Sequence, residues 1–448
     1  MPTALSDLTD QLLAAARAAG ADGADALAVR AVQSQVGVRG GKLEEAERAE
    51  GIDLGLRVFV GRRQASVSSS DERPATLARM AERAVAMARE APEDPHAGLA
   101  EPGQLSTVRD AEGLELFDPG EEPDPARLEE AARAAEEAAR AVAGVTRIDA
   151  AGASWSTREM HLAASNGFAG GYRRTDRGLS CVAIAGTGTK MERDYDYDHR
   201  IFAEDLRSAE EIGRTAGERA VAMEGTRKAK TGVYPVLYDE RISGGLIGHL
   251  VEAINGQSVA RGSSWLRNAL GERVLPEGID LIEDPHRVRV PSSRPFDAEG
   301  LRTGRRSLVE DGVLQGWTLD LSTARKLGME STANASRGTG GPPSPSVTNL
   351  ALTQGARSKK ELLADMGTGL LVTSLIGATI NPNTGDYSRG ASGFWIENGE
   401  IAHPVSEVTI AGNLRDMLGR IVPANDARPW LSRVVPTILI DGMTIAGE

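Results

Sequence analysis

The chain has a single cysteine, Cys181, in 448 residues. One thiol excludes an intramolecular disulfide, and it excludes a thiolate zinc cluster built within one chain. Histidine is almost as sparse: His96, His161, His199, His249, His286 and His403. No two are close enough to share a helix face, so the paired histidines of a zinc hydrolase are missing as a local motif. No apolar run approaches the ~18–20 residues that span a bilayer. The opening stretch MPTALSDLTDQLLAAARAAG has no basic n-region and no long apolar core. It reads as an amphipathic helix, not a signal peptide. An excess of basic charge is also lacking. The formal charge is −13 and the pI about 5.2, without the basic face of a nucleic-acid binder. Together these absences predict a soluble cytoplasmic protein with no nucleic-acid or membrane partner.

Two further catalytic signatures fail. Ser392 lies in RGASGF, which is not a G-x-S-x-G elbow, and no histidine nearby suggests its base. Gly367 and Gly369 in MGTGLL precede a strand-like run and lack a third glycine, so they do not form a dinucleotide cradle.

What is present is an ordinary globular balance, 40% hydrophobic and 26% charged, with 51 glycines for turns. As a prior, the length suggests about two or three domains at ~150 residues each. Ser6–Ala19 reads as a helix. Short strands follow at Ala26–Ala31, Ser34–Arg39, Ala46–Arg57 and Gln64–Ser69, then a helix at Pro74–Arg89. A polar, Pro-rich connection, Ala91–Pro123, leads to a helix over Ala126–Val142. Strands at Ile148–Ser156, Glu159–Ala164 and Leu179–Ala185 come next, and a helix from about Glu204 to Met223. This order predicts an α+β domain over residues 1–224, with a mostly antiparallel sheet and helices on one side. GTRKAKTG, residues 225–232, reads as a linker. Residues 233–448 read as a strand- and loop-rich second domain with short helices at Asp239–Ile254, Asp320–Leu327, Ser358–Asp365 and Leu414–Ile421. Ser336–Val347 is expected to be an irregular, mobile loop. Val435–Ile440 and Met443–Ala446 are expected to form a closing hairpin around Asp441-Gly442.

Three stretches carry candidate chemistry. Val236–Tyr238 is a short strand run, Asp239 is placed to cap a helix, and Ile242, Leu246, Leu250 and Ile254 recur at helical spacing. His249 sits on that helix, but Gly244, Gly245 and Leu246 one turn back offer no metal ligand, so a polar-network role is expected. Asp194, Asp196 and Asp198 alternate in DYDYDH and share one strand face, with Tyr195 and Tyr197 on the other. Three carboxylates suit a hard cation, yet His199 stands where a calcium loop needs glycine. A solvated or cleft-lining strand is expected. Asn381–Glu397, NPNTGDYSRGASGFWIE, combines turn residues with Asp386, Tyr387, Arg389, Phe394 and Trp395, as a ligand cleft or protein interface would.

The second half resembles the TldD/PmbA family, in particular its PmbA (TldE) branch. The resemblance is carried in order by GGLIGH at Gly244–His249, SSRPFDAEG at Ser292–Gly300, and EDGVLQGWTLDLSTARKLGM at Glu310–Met329. It continues through MGTGLLVT at Met366–Thr373, NPNTGDYSRGASGFWIENGEI at Asn381–Ile401, and EVTIAGNLRDML at Glu407–Leu418. It implies an N-terminal α/β domain and a β-rich, barrel-like C-terminal domain. The TldD branch resembles a zinc peptidase with a His-Glu-x-x-x-His motif, and here its positions hold Gly244, Gly245 and His249. That branch also uses a cysteine near the C-terminus, and Ala424–Pro436 contains none. The resemblance therefore implies a non-catalytic subunit with no cofactor of its own. A TldD-type partner would supply zinc in a heterodimer that degrades or processes unfolded, extended peptides. Asp194, Asp196, Asp198, His249, Asp386, Tyr387 and Arg389 are the expected borders of the peptide channel. Two other readings stand beside it: a self-standing homodimeric hydrolase binding metal elsewhere, and a peptide-binding or regulatory module, including the family's proposed modulation of DNA gyrase.

Overall fold

The computed structural model describes residues 3–448. The N-terminal region begins with helix α1 (Leu5–Ala18), whose Leu5, Leu8, Leu12 and Ala16 form a buried stripe at helical spacing. Three long strands follow, β1 (Gly23–Arg39), β2 (Lys42–Val60) and β3 (Arg63–Ser69), then helix α2 (Pro74–Glu90), with proline preset at its first turn. Helix α3 (Pro125–Arg140) is capped by the Asp124 carboxylate, which accepts the Ala126 N–H. Strands β4 (Val145–Ala164), β5 (Ala169–Ala185) and β6 (Glu192–Arg200) and helix α4 (Ala209–Ala222) complete the region. The six strands form one antiparallel sheet, ordered β3-β2-β1-β4-β5-β6, curled into a half-barrel. α1 and α2 bury Ala24, Ala26, Ala28, Leu54, Leu56 and Val58 at one end. α3 and α4 bury Val36, Val38, Ala151, Leu179 and Cys181 at the other. Burial pushes the Cys181 thiol up to about 12, so it is packed and inert.

The C-terminal region opens with β7 (Gly232–Tyr238), α5 (Glu240–Ala253) and α6 (Gly256–Ala260). Small elements follow: β8 (Leu281–Glu283), β9 (Arg306–Glu310), β10 (Val313–Leu314), α7 (Leu321–Leu327), β11 (Ala335–Ser336), β12 (Ser344–Pro345) and β13 (Leu350–Leu352). Next are α8 (Lys359–Met366), β14 (Gly369–Ile380), β15 (Asp386–Glu397), β16 (Glu400–Asn413) and α9 (Leu414–Leu418). The chain finishes with β17 (Val422–Pro423), β18 (Arg433–Val434) and β19 (Ile438–Ala446). β7, β14, β15, β16 and β19 pair in a closed ring, because β16 also bonds β19. The result is a five-stranded barrel in which only β7 and β14 run parallel. Alternation along β7 sends Val236 and Tyr238 into the main core with α5, and Leu237 into a second cluster under α8. Gly393 is obligatory in this wall, since a Cβ there would lie 1.9 Å from the Leu371 carbonyl oxygen.

Several local expectations need correction. Ala26–Ala31 and Ser34–Arg39 are one strand, because β2 and β4 bond it on both sides throughout. The last segment is not a hairpin. β19 runs on through Asp441-Gly442 as a bulge, with Gly442 at φ +72° and β7 on the same side before and after it. α4 starts at Ala209 rather than near Glu204, because the Ser208 hydroxyl accepts the Glu211 N–H and caps it there. The segment Ser336–Val347 is not a free loop. Ser336 and Pro345 belong to the β11–β12 pair, and the segment between them is seated on the half-barrel. The Arg337 guanidinium is buried against Asp25 of β1, which is also held by Arg57 Nε at 2.8 Å. The Thr339 carbonyl packs on Gly55, where a Cβ would meet it at 2.4 Å.

The connection before α3 crosses the same seam. The Ser106 N–H donates to the Gly300 carbonyl, and Arg325 donates to the carbonyls of Gly98 and Leu99. The two halves are thus joined by buried polar contacts as well as by the Phe168–Phe296 edge contact at 5.0 Å.

Candidate functional site

Helix α5 is anchored at its start by charge. The Asp239 carboxylate accepts the Arg241 N–H at 3.1 Å and pairs with Lys359. Burial would raise this acid, but Lys359 and Arg241 outweigh it and hold it below its ordinary range. Arg241 reaches across to Asp194 of the half-barrel at 2.8 Å, and Glu240 pairs with Arg428. Three elements from distant parts of the sequence therefore fix one helix end.

One turn on, the helix is bare on the face away from the core. Gly244 and Gly248 share a face, being four residues apart, and the Arg433 side chain lies along that face. Its Cβ and Cδ lie 3.9 Å from where a Gly244 Cβ would stand, and one guanidinium nitrogen lies 3.2 Å from the same position on Gly248. Arg433 also donates to the Gly244 carbonyl at 3.4 Å. Gly245 faces open space.

His249 follows Gly244 by five residues, about 500° of helical turn, so it points away from Arg433. Its ring meets Tyr387 edge-on at 5.8 Å. Burial, and then the positive charge of Arg389, holds its pKa below the usual imidazole range. Tyr387 is buried and accepts a long hydrogen bond, 3.4 Å, from the Tyr238 hydroxyl. Arg389 donates through Nε to the Gly377 carbonyl at 2.6 Å.

The structure thus brings three of the predicted residues together, His249, Tyr387 and Arg389, and leaves the others apart. Asp386 is exposed and closes its own turn, accepting from Thr384 at 2.6 Å and Asn413 at 3.1 Å. The carboxylate face of β6 is the packed face, contrary to the expectation of a solvated or cleft-lining strand. Asp196 is buried against Arg207 and Arg219 at 2.9 and 2.8 Å, and Asp198 against Arg200 at 3.0 Å. Charge pairing lets α4 cover these acids, while Tyr195 and Tyr197 stack on the open side at 6.0 Å. Asp194 touches the site only through Arg241. Arg433 was missed by sequence reasoning; nothing in WLSRVV marks a side chain that will lie on a helix 190 residues earlier.

The residues at the motif position do not fit a zinc ion. They offer one imidazole, no carboxylate and a guanidinium cation. Among the described residues, no group of three or more His, Cys, Asp or Glu side chains is placed to hold a metal. No described helix is long and apolar enough to cross a membrane.

The architecture is a half-barrel sheet joined to a closed five-stranded barrel, with α5 following the first barrel strand. Three family domains match in series: PmbA/TldA metallopeptidase domain 1 over residues 24–88, the central domain over 118–224 and the C-terminal domain over 231–447. The chain is 38% identical over 428 residues to the metalloprotease PmbA of Escherichia coli O157:H7, covering 95% of this chain and 93% of that protein. A Bacteroides thetaiotaomicron structure described as a candidate modulator of DNA gyrase superposes with a TM-score of 0.89 at 28% identity. The match covers 99% of this chain and 98% of that one. TldE from Thermococcus kodakarensis shares the fold, with a TM-score of 0.86 at 22% identity over 98% of this chain and all of that one. The chain belongs to the PmbA/TldD metallopeptidase family, as a PmbA-type member.

Proposed function

We propose that this chain is the non-catalytic, PmbA/TldE-type subunit of a two-chain metallopeptidase acting on unfolded or extended peptides. In this reading a TldD-type partner holds the zinc, and this chain builds one wall of the peptide path. The observation that carries it is the face of α5. Gly244 and Gly245 replace a ligand and a base, and Arg433 lies across the first of them. A guanidinium there repels a divalent cation, and bare backbone cannot activate water. His249 and Arg389 remain beside it as half-buried polar side chains suited to contacting a peptide backbone, with the buried Tyr387 beneath the histidine ring. The β14–β15 hairpin extends beyond the barrel with Ile376 70% exposed, which suits it to contact a second chain.

The test is co-expression with a TldD-type chain of the same cell, followed by zinc analysis per chain and cleavage of an unstructured peptide. The reading expects one zinc per heterodimer, none in this chain alone, and cleavage only by the pair. Arg389→Ala is expected to reduce that cleavage while assembly persists. Stoichiometric zinc and peptide hydrolysis by this chain alone would refute the reading and favour a homodimeric hydrolase.

A further inference from the structure

A cavity of about 320 Å³ lies on the seam between the half-barrel and the C-terminal region. Four arginines line it: Arg158 of β4, Arg174 of β5, and Arg294 and Arg337 from the C-terminal loops. Their charge is poorly balanced. Arg337 is buried, yet only one of its nitrogens is used, on Asp25; Nε and the other Nη have no partner. Asp25 is shared with Arg57, so two buried cations divide one carboxylate. Arg294 spends both Nη groups on the carbonyls of Ala335 and Ser346, and its Nε is buried without a partner. Arg174 has only Asp176, at 3.8 Å.

The one acid lining the cavity, Asp297, lies in the field of Arg294 but spends its hydrogen bonds on the backbone. It accepts three backbone N–H groups, from Glu299, Leu301 and Ala335. Buried N–H groups left unmade cost about 1–3 kcal/mol each and are few in native proteins. Three of them lie on two arginines that line one cavity, and they leave positive charge beside it that an anion would balance.

Apolar side chains, Leu162, Phe296 and Val347 among them, also line the cavity. A hydrated inorganic anion would leave these side chains uncovered. A carboxylate carrying an apolar side chain on the adjacent carbon would meet both. The cavity also shares Ser292, Ser346, Val347 and Thr348 with a neighbouring one of about 250 Å³, which reaches Arg433 beside α5. A chain leaving the arginine cavity along this strip heads toward the glycine face.

We propose that the arginine cavity binds the free C-terminal carboxylate of a peptide whose last residue is apolar. This rests on the peptide-processing reading above and names the end of the peptide that this chain holds. Planar guanidinium forks suit bidentate capture of a carboxylate.

Calorimetric titration of the full-length chain tests it with N-acetyl-L-leucine, N-acetyl-L-leucinamide and inorganic phosphate. The carboxylate is expected to bind at least tenfold more tightly than either of the others. Arg337→Met should abolish the difference. Because that change disturbs a buried charge cluster, Arg158→Ala serves as the second variant. Arg158 is exposed, and it should weaken the carboxylate several-fold without altering thermal stability. Equal binding of acid and amide, or tighter binding of phosphate, overturns the proposal. An unstructured peptide ending in leucine, offered to the co-expressed pair as free acid and as amide, separates the two readings. If both forms bind alike, the carboxylate site is wrong and peptide binding stands; if neither binds, both fall.

Discussion

Replacing Asp25 with asparagine should unseat the join between the two halves. Asp25 is 2% exposed and is the carboxylate partner of two buried guanidinium groups, Arg57 and Arg337. Burial alone would raise its pKa, but Arg337 and Arg57 together hold it below the ordinary carboxylate range, so it is ionised at neutral pH. Asparagine keeps the shape and removes the charge. Two cations would then remain in a site almost free of water, with only an amide between them. Removing one member of a buried ion pair costs about 3–5 kcal/mol, because the other is left uncompensated. At ~2–4 °C per kcal/mol for a unit of roughly 200 residues, the melting temperature should fall by about 10 °C. Arg337→Met in the same chain removes one stranded cation. The double variant should therefore be more stable than the sum of the single effects predicts, by about 1–3 kcal/mol. Urea unfolding of the four proteins in the cycle measures this, with limited proteolysis reporting release of Ser336–Val347. A D25N protein within about 1 kcal/mol of the parent, with that segment still resistant, would refute the assignment of the seam to this cluster.

Other outcomes follow from single residues. Burial, with Asp297 adding to it, pushes the Glu299 carboxyl up to about 8, against an ordinary 4.5. The folded state therefore holds a proton that the unfolded state has lost, and this contribution to stability is present below about pH 4.5 and disappears as pH rises through 8. Glu299→Gln should thus gain on the parent as pH goes from 5 to 8.5 in thermal melts; a constant difference would contradict it. Gly55→Ala drives a Cβ to 2.4 Å from the Thr339 carbonyl, so it should expose the Ser336–Val347 segment to protease while leaving the half-barrel folded. Gly244→His with Gly245→Glu meets open space or only Arg433. Zinc analysis should find no metal in that double variant and partial uptake once Arg433→Ala is added; uptake without the third change would show that Arg433 is no obstacle.

The periodicity of the apolar residues determined most of the elements. α1, α2, α3 and α5 lie within a few residues of where the 3.6-residue stripe placed them, because a helix must hide that stripe wherever it lies. The glycine pair at 244 and 245, the lone histidines and the lone cysteine were equally plain, since a missing side chain is missing in any fold. Partnership was decided only in three dimensions. DYDYDH alternates in either orientation, and the arginines of α4 and the segment before it made the acids the buried face. SRGTGGPPSPSV has the composition of a free loop, yet one arginine finding Asp25 some 300 residues away pins it. Arg433 gains meaning only because β18 carries it onto α5. Local pattern reports what a residue can do with its near neighbours in the chain. Which charge meets which is decided by barrel closure and by the seam between the two halves, and no sequence spacing encodes either.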